Sequence, residues 1–316
     1  MFARPGLPSF EYVRPSTAAD VVSLLQEYGG AACPLMGGTD LFPALRDGVL
    51  RPEVLVDVKY LPGMREISYS RQAGLTVGAA VTMNALASHG DVREHYPLLA
   101  EAAESVASYQ LRNRATLGGN LCNASPCADT SPAALVLEAE FILHGPQGQR
   151  SIAASKFFAG PGQTVLQPDE LMTAIQFPPL PAGASGRYLK LGRCKSGDLS
   201  LVGVAVLAYP DTAHPAPDHG YGFRIGLGSV APKPLRALKA EIALAANIPG
   251  EDTFALAAEK AMATATPITD VRGGSDYQKA MVRALTLRGL MAVWSQLEES
   301  CLLYTSDAAD DPTLVL

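Results

Sequence analysis

The 316-residue chain is 48% hydrophobic and 18% charged, enough apolar material for two packed domains and too much for a disordered polypeptide. A formal net charge of −6 without any basic run excludes a binder of phosphate backbones, whose affinity comes from clustered Lys and Arg. No apolar stretch reaches the ~18 residues of a membrane span, and Met1–Gly6 lacks a signal peptide's apolar core, so a cytoplasmic protein with five reduced cysteines is expected.

Phe10–Val13 reads as a short extended segment. Ser16, Thr17 and Asp20 offer N-caps for a helix through Val21, Val22, Leu24, Leu25 and Tyr28, which Gly29 and Gly30 end. Ala32–Met36 is an apolar run that delivers a glycine turn, Met36-Gly37-Gly38-Thr39-Asp40, and Leu41–Arg46 reads as a helical turn leaving it. Such an exit aims N–H groups and the positive end of a dipole at an anion. Pro52–Val58 has the unbroken apolar character of a buried strand, which pairs with the strand before the turn and closes a small α/β subdomain.

Leu75–Thr82 predicts a strand, Thr82–Leu86 a helix start, and Tyr96–Ser105 a helix with Leu98, Leu99, Ala102, Ala103 and Val106 at helical spacing. That helix leads straight to a second turn, Thr116-Leu117-Gly118-Gly119-Asn120, whose paired glycines let backbone N–H groups meet a phosphate with no Cβ in the way. One diglycine turn is an ordinary loop signal; two with polar exits can clamp a diphosphate from both sides.

After Asp129, Ser131-Pro132 opens a segment through Leu137, Phe141–His144 reads as a strand ending in a turn, and Ile152–Phe158 and Leu171–Phe177 supply two more pieces. Pro178–Gly186 is the clearest boundary, because proline removes donors and restricts its neighbours. Beyond it, Arg187–Lys195, Leu201–Ala208 and Tyr221–Gly228 predict an antiparallel sheet. Ala231–Ala246 and Thr253–Thr264 predict alanine-rich helices, and Asp276–Leu297 a longer one with Met281, Leu285, Leu290 and Trp294 on its buried stripe. The expected division is residues 1–178 (subdomains about 1–58 and 59–178), a linker at 179–186, a second domain at 187–298, and a tail at 299–316. Cys301–Asp311 resembles translated sequencing-adaptor sequence, so the tail is read as foreign or disordered.

The five histidines show no nucleophile-activating or metal-ligating pattern, and Cys122 and Cys127 are not spaced as a metal knuckle. Gly226-Leu227-Gly228 lacks the third glycine of a dinucleotide fingerprint, so neither a catalytic residue nor a metal site is predicted.

Leu35–Leu41 and Arg112–Asn120, followed by Ala124-Ser125-Pro126 and Asp129, resemble the two FAD-binding segments of the flavoprotein (medium) subunits of molybdenum hydroxylases. This is the family of the carbon monoxide dehydrogenase medium subunit and the xanthine dehydrogenase FAD-binding subunit, and the likeness runs from about Pro8 to about Gln296. It implies an α+β chain: a two-subdomain FAD-binding fold of the PCMH/vanillyl-alcohol-oxidase type, then a smaller α+β domain with an antiparallel sheet and helices. By resemblance, Leu35, Met36, Gly37, Gly38, Thr39, Asp40 and Leu41, together with Thr116, Leu117, Gly118, Gly119 and Asn120, hold the FAD diphosphate and ribityl chain. Asp129 takes a ribityl or ribose hydroxyl, Val106 and Ala107 line the cofactor, and Met172 lies beside the adenine end. Lys190 sits near the isoalloxazine, where a cation stabilises the reduced, anionic form. Asp198 matches a frequent family acid, while Leu199 stands where relatives often carry an aromatic.

The same resemblance implies a large molybdopterin subunit and a small [2Fe-2S] subunit as partners in a dimer of heterotrimers, with NAD+, a quinone or another molecule as electron acceptor. Two rival readings are a self-contained flavin oxidase of the same superfamily, for which no tethering histidine is evident, and a scaffold without cofactor, against which the intact glycine turns count.

Overall fold

The computed structural model describes residues 6–194, 196–211 and 219–309, the side chains of 300–309 excepted. The first lobe contains β1 (Glu11–Val13), α1 (Ala18–Tyr28), β2 (Ala32–Leu35), α2 (Leu41–Arg46) and β3 (Val54–Asp57). Thr17 and Asp20 form a capping box at the start of α1: the Asp20 N–H donates to Thr17 Oγ1 at 3.1 Å, and the Thr17 N–H donates to the Asp20 carboxylate at 3.0 Å. The strands are parallel in the order β1-β3-β2, with Leu35 opposite Asp57. Their carboxyl ends therefore share one edge, where ligands collect in α/β sheets.

The second lobe opens with β4 (Ile67–Ser70) and β5 (Gly74–Gly78). Six helices follow: α3 (Met83–Ser88), α4 (Gly90–His95), α5 (Pro97–Glu104), α6 (Tyr109–Arg112), α7 (Leu117–Asn123) and α8 (Thr130–Val136). It ends with β6 (Glu140–Gly145), β7 (Gly148–Ala153), α9 (Ala154–Phe157), a small hairpin of β8 (Phe158–Gly160) and β9 (Gln163–Thr164), and β10 (Leu171–Phe177). Its five-stranded sheet is antiparallel in the order β4-β5-β10-β6-β7. Both lobes share one core, in which Val21 and Leu25 of α1 join Phe141, Leu171 and Phe177.

The third unit is an antiparallel sheet, β11 (Ser185–Leu191), β12 (Val202–Pro210), β13 (Tyr221–Gly228) and β14 (Leu235–Arg236), covered by α10 (Leu238–Ala246), α11 (Glu251–Thr264) and α12 (Ser275–Ala309). Successive side chains of a strand point to opposite faces. Val202, Val204, Val206 and Ala208 of β12 enter the core with Leu285, Leu290 and Val293, while Ala205 and Leu207 enter the core of the first two lobes. Burial on both faces is why this strand reads as an unbroken apolar run. The sheet meets α8 closely: a Cβ at Gly226 would lie 2.6 Å from the Pro132 carbonyl oxygen.

Several boundaries differ from expectation. The helix expected from Ala231 begins at Leu238, because Pro232 and Pro234 keep the chain extended into β14. β11 begins at Ser185, inside the expected linker, and ends at Leu191; Lys195 lies outside the described residues. The second turn is not reached directly from α5, since α6 intervenes. The backbone of α12 runs past Leu297 to Ala309, a stretch without Gly or Pro, where propagation adds one hydrogen bond per residue. The rest of the expected tail, 310–316, lies outside the described residues. No helix among the described residues is long and apolar enough to cross a membrane.

Candidate cofactor site

The first glycine turn leaves β2 at the shared carboxyl edge. A Cβ at Gly37 would lie 2.3 Å from the Arg114 carbonyl oxygen, so only glycine lets this turn rest on the backbone before the second one. Gly38 adopts φ +77°, and its carbonyl accepts from the Phe42 N–H at 3.0 Å, which starts α2. The N–H groups of Gly37, Gly38, Thr39 and Asp40 find no acceptor among the described residues. With Met36, Thr116, Asn120, Cys122 and Met172, these residues line a half-open cleft of about 370 Å³. Burial pushes the Asp40 carboxyl up, which lessens its repulsion of an anion there.

The second turn differs from expectation. Thr116 caps α7 by accepting from the Gly119 N–H at 3.2 Å, and the Asn120 N–H donates to the Thr116 carbonyl at 2.9 Å. The Leu117 and Gly118 N–H groups donate to the Val81 and Ala79 carbonyls at 3.0 and 2.9 Å. The backbone donors from Leu117 to Asn120 are thus engaged within the chain, and Gly118 serves packing, since a Cβ there would lie 2.6 Å from that of Ala79. What this turn offers the cleft is side chains. Asn120 Oδ1 accepts from the Thr130 hydroxyl at 2.6 Å, which leaves the amide nitrogen as a donor.

The cleft floor is soft and apolar. Met172 is fully buried, with its sulfur 3.9 Å from that of Cys122, a thiol that burial pushes up to about 12 and so keeps neutral. At its mouth, Glu170 accepts from Arg150 Nε and Nη2 at 2.6 and 2.7 Å and from the Gln167 N–H at 2.8 Å; the Arg150 bonds foremost hold its carboxyl below the usual range.

Asp129, Lys190, Val106 and Ala107 do not line this cleft; they meet at the seam between the second lobe and the C-terminal sheet. Lys190 Nζ donates to Asp129 Oδ2 at 2.8 Å, to the Ser105 carbonyl at 2.9 Å and to the Asp198 carbonyl at 3.0 Å, so its three protons are all placed. The Tyr188 hydroxyl donates to Asp129 Oδ1 at 2.8 Å. Burial pushes the Asp129 carboxyl up, and the Lys190 charge with the two hydrogen bonds opposes that rise. Ala107 has φ +45°, a conformation strained for alanine, and its carbonyl accepts from the Gly197 N–H at 3.0 Å. Val106 is buried, and its carbonyl accepts from Arg112 at 3.0 Å. The Asp198 carboxyl is held at about 2, chiefly by its bonds from Arg193, and Leu199 is exposed. Sequence reasoning missed Tyr188, although its spacing from Lys190 on one strand places both on one face. It also missed Arg150 with Glu170, a pair formed between β7 and the residue just before β10.

Residues 8–180 match the family model described as the FAD-binding domain in molybdopterin dehydrogenase, and residues 187–293 the one described as the CO dehydrogenase flavoprotein C-terminal domain. The chain is 35% identical over 294 residues to the carbon monoxide dehydrogenase medium chain of Hydrogenophaga pseudoflava, covering 92% of this chain and 98% of that one. It is 32% identical over 279 residues to the xanthine dehydrogenase FAD-binding subunit of Escherichia coli O157:H7, covering 87% and 92%. Among solved structures, the Hydrogenophaga pseudoflava carbon monoxide dehydrogenase that lacks the Mo-pyranopterin moiety of its molybdenum cofactor matches with a TM-score of 0.85 at 36% identity, over 92% of this chain and 99% of that one. Quinoline 2-oxidoreductase from Pseudomonas putida 86 matches at 0.82 and 29% identity, over 92% and 98%. Two lobes meeting at a glycine-walled cleft and a C-terminal sheet locked onto them thus carry both domain signatures in order, and the chain belongs to the FAD-binding subunits of the molybdenum hydroxylase family.

Proposed function

We propose that the chain seats FAD with its diphosphate between the Leu35–Leu41 turn and the start of α7, passing electrons from partner [2Fe-2S] clusters to NAD+, a quinone or another acceptor. One observation carries the placement: the N–H groups of Gly37 to Asp40 have no acceptor within the described chain, and these residues line the cleft, so an anion fits them. The Thr39 hydroxyl and the Asn120 amide add side-chain donors, and Met172 gives an adenine ring a soft, dry floor. FAD supplies the electron-carrying chemistry when bound. The chain's own part is to bind, orient and shield. Lys190 places a fixed positive charge at the seam, and the two lone pairs left on the Asp129 carboxylate accept a ribityl or ribose hydroxyl.

In this reading substrate oxidation takes place at a molybdenum cofactor in a large partner, and electrons enter through a small iron–sulfur partner, within a dimer of heterotrimers. The names of the relatives as medium chains and FAD-binding subunits, and their near-complete coverage, support it. Titrating the cofactor-free full chain with FAD, followed by quenching of flavin fluorescence, is expected to saturate at one FAD per chain, and Thr39→Ala with Asn120→Ala to weaken it by tenfold or more. A chain that takes up no FAD, or a double variant with unchanged affinity, overturns the placement.

A further inference from the structure

We infer that Tyr188 is a positioning residue of the cofactor site: its hydroxyl fixes the Asp129 carboxylate in the orientation in which it accepts a sugar-alcohol hydroxyl. This rests on the reading above that Asp129 receives such a hydroxyl. Tyr188 and Lys190 lie two residues apart on β11, on one face of the C-terminal sheet, and each takes a different oxygen of Asp129, at 2.8 Å in both cases. A carboxylate offers about four acceptor positions, so two stay open while the group can no longer swivel. The phenol is built in. Tyr188 is buried, its N–H donates to Glu101 at 2.8 Å, and the neighbouring strand makes room for its hydroxyl with Gly203, where a Cβ would lie 2.5 Å from Tyr188 Oη. Packing alone is met by phenylalanine, which has no hydroxyl to desolvate.

The charged surroundings of Asp129 come from four segments. β11 supplies Tyr188 and Lys190; the loop of Asp129 itself supplies Cys127, whose sulfur is 2.7 Å from Arg272 Nη1. The loop after β11 contributes the Asp198 carbonyl, while the Asp198 carboxylate is occupied by Arg193; α5 contributes Glu101, paired with Arg187 at 3.2 Å. Lys190 is the one cation in hydrogen-bonding reach of Asp129 among the described residues. Burial drives Asp129 toward its neutral form, and the Tyr188 bond is one of the interactions that hold it ionised. Removing that bond moves its protonation to higher pH.

The test is the pH profile of the FAD dissociation constant, measured by fluorescence titration on the full chain. Asp129→Asn is expected to weaken FAD about tenfold at neutral pH and to flatten the acid limb of the profile. Tyr188→Phe is expected to displace that limb to higher pH with little change in melting temperature. Gly203→Ala, which presses on the hydroxyl without removing it, is expected to shift the limb the same way and keeps the test available if Tyr188→Phe does not fold. Weakened binding in Asp129→Asn alongside curves for Tyr188→Phe and Gly203→Ala that parallel the wild type overturns the positioning role and leaves the reading of Asp129 standing. Wild-type affinity in Asp129→Asn overturns that reading, and this inference with it.

Discussion

Replacing Gly37 with alanine probes the contact that closes the cleft. The new Cβ would lie 2.3 Å from the Arg114 carbonyl oxygen, 3.0 Å from its carbon and 3.2 Å from Ala115 Cα. Since an ordinary carbon–oxygen contact is about 3.3 Å, the two backbones must part by about 1 Å. Neither wall yields cheaply. The Arg114 and Ala115 N–H groups both donate to the Leu111 carbonyl, at 2.9 and 2.8 Å, and the Ala115 carbonyl accepts from Met83 at 2.9 Å. On the other side, β2 is paired to β3 up to Leu35. Overpacking of this kind costs about 1–3 kcal/mol of stability. Because the clash separates the two segments proposed to hold the diphosphate, a 1 Å spread also takes charge-assisted hydrogen bonds out of range. Losing one such bond, about 1.5–3 kcal/mol, weakens FAD by roughly 10- to 100-fold. The assay is an FAD titration run beside thermal unfolding of the cofactor-free chain. Gly30→Ala, whose Cβ meets nothing within 4 Å, is the matched control and leaves both unchanged. A Gly37→Ala protein that binds FAD as the wild type does refutes the closure argument, whatever its melting temperature.

Two further substitutions test the electrostatics. Lys190→Met leaves the buried Asp129 without its cation, an expected loss of about 3–5 kcal/mol at pH 8 that shrinks on acidification as Asp129 takes up a proton; equal deficits at pH 8 and pH 5 in chemical denaturation count against the pairing. Glu170, lowered in the folded chain, contributes stability that is present above its unfolded value near 4.3 and lost as pH falls through the folded value. Glu170→Gln is therefore expected to lose about 1 kcal/mol at pH 7, modest because Arg150 is 42% exposed, and to converge with the wild type at low pH; a gap that persists at pH 3 argues against an ionic origin.

What could be read in the sequence was what local chemistry decides. Thr17 and Asp20 announce the cap of α1, and the strand–Gly37-Gly38–helix order announces a tight turn, because only glycine tolerates the approach to Arg114. The second turn carried the same glycine signal with a different meaning. Its donors are engaged by Val81 and Ala79, carbonyls brought close by the bridge between Thr82 and Thr116, a long-range pairing with no local mark. Lys190 could be singled out by resemblance but not as the partner of Asp129, since that pairing depends on how β11 meets the start of α8. The late start of α10 is written in Pro232 and Pro234, which keep the chain extended despite the alanine content around them.

The C-terminal sheet is locked onto the first two lobes. β12 gives one face to each core, so the unit cannot turn away without exposing Ala205 and Leu207. The Lys190 ammonium ties the end of α5, the start of α8 and the loop at Asp198 to one point, and the Gly197 N–H holds the strained Ala107 from the same loop. The seam is joined in turn to the cleft by the Thr130 hydroxyl on Asn120, one residue after Asp129. A change of angle between the sheet and the lobes therefore shifts Asp129 directly and Asn120 at one remove. In the proposed reading a single long cofactor touches both places, and a rigid seam keeps its diphosphate and its ring system in register, as preorganised sites require.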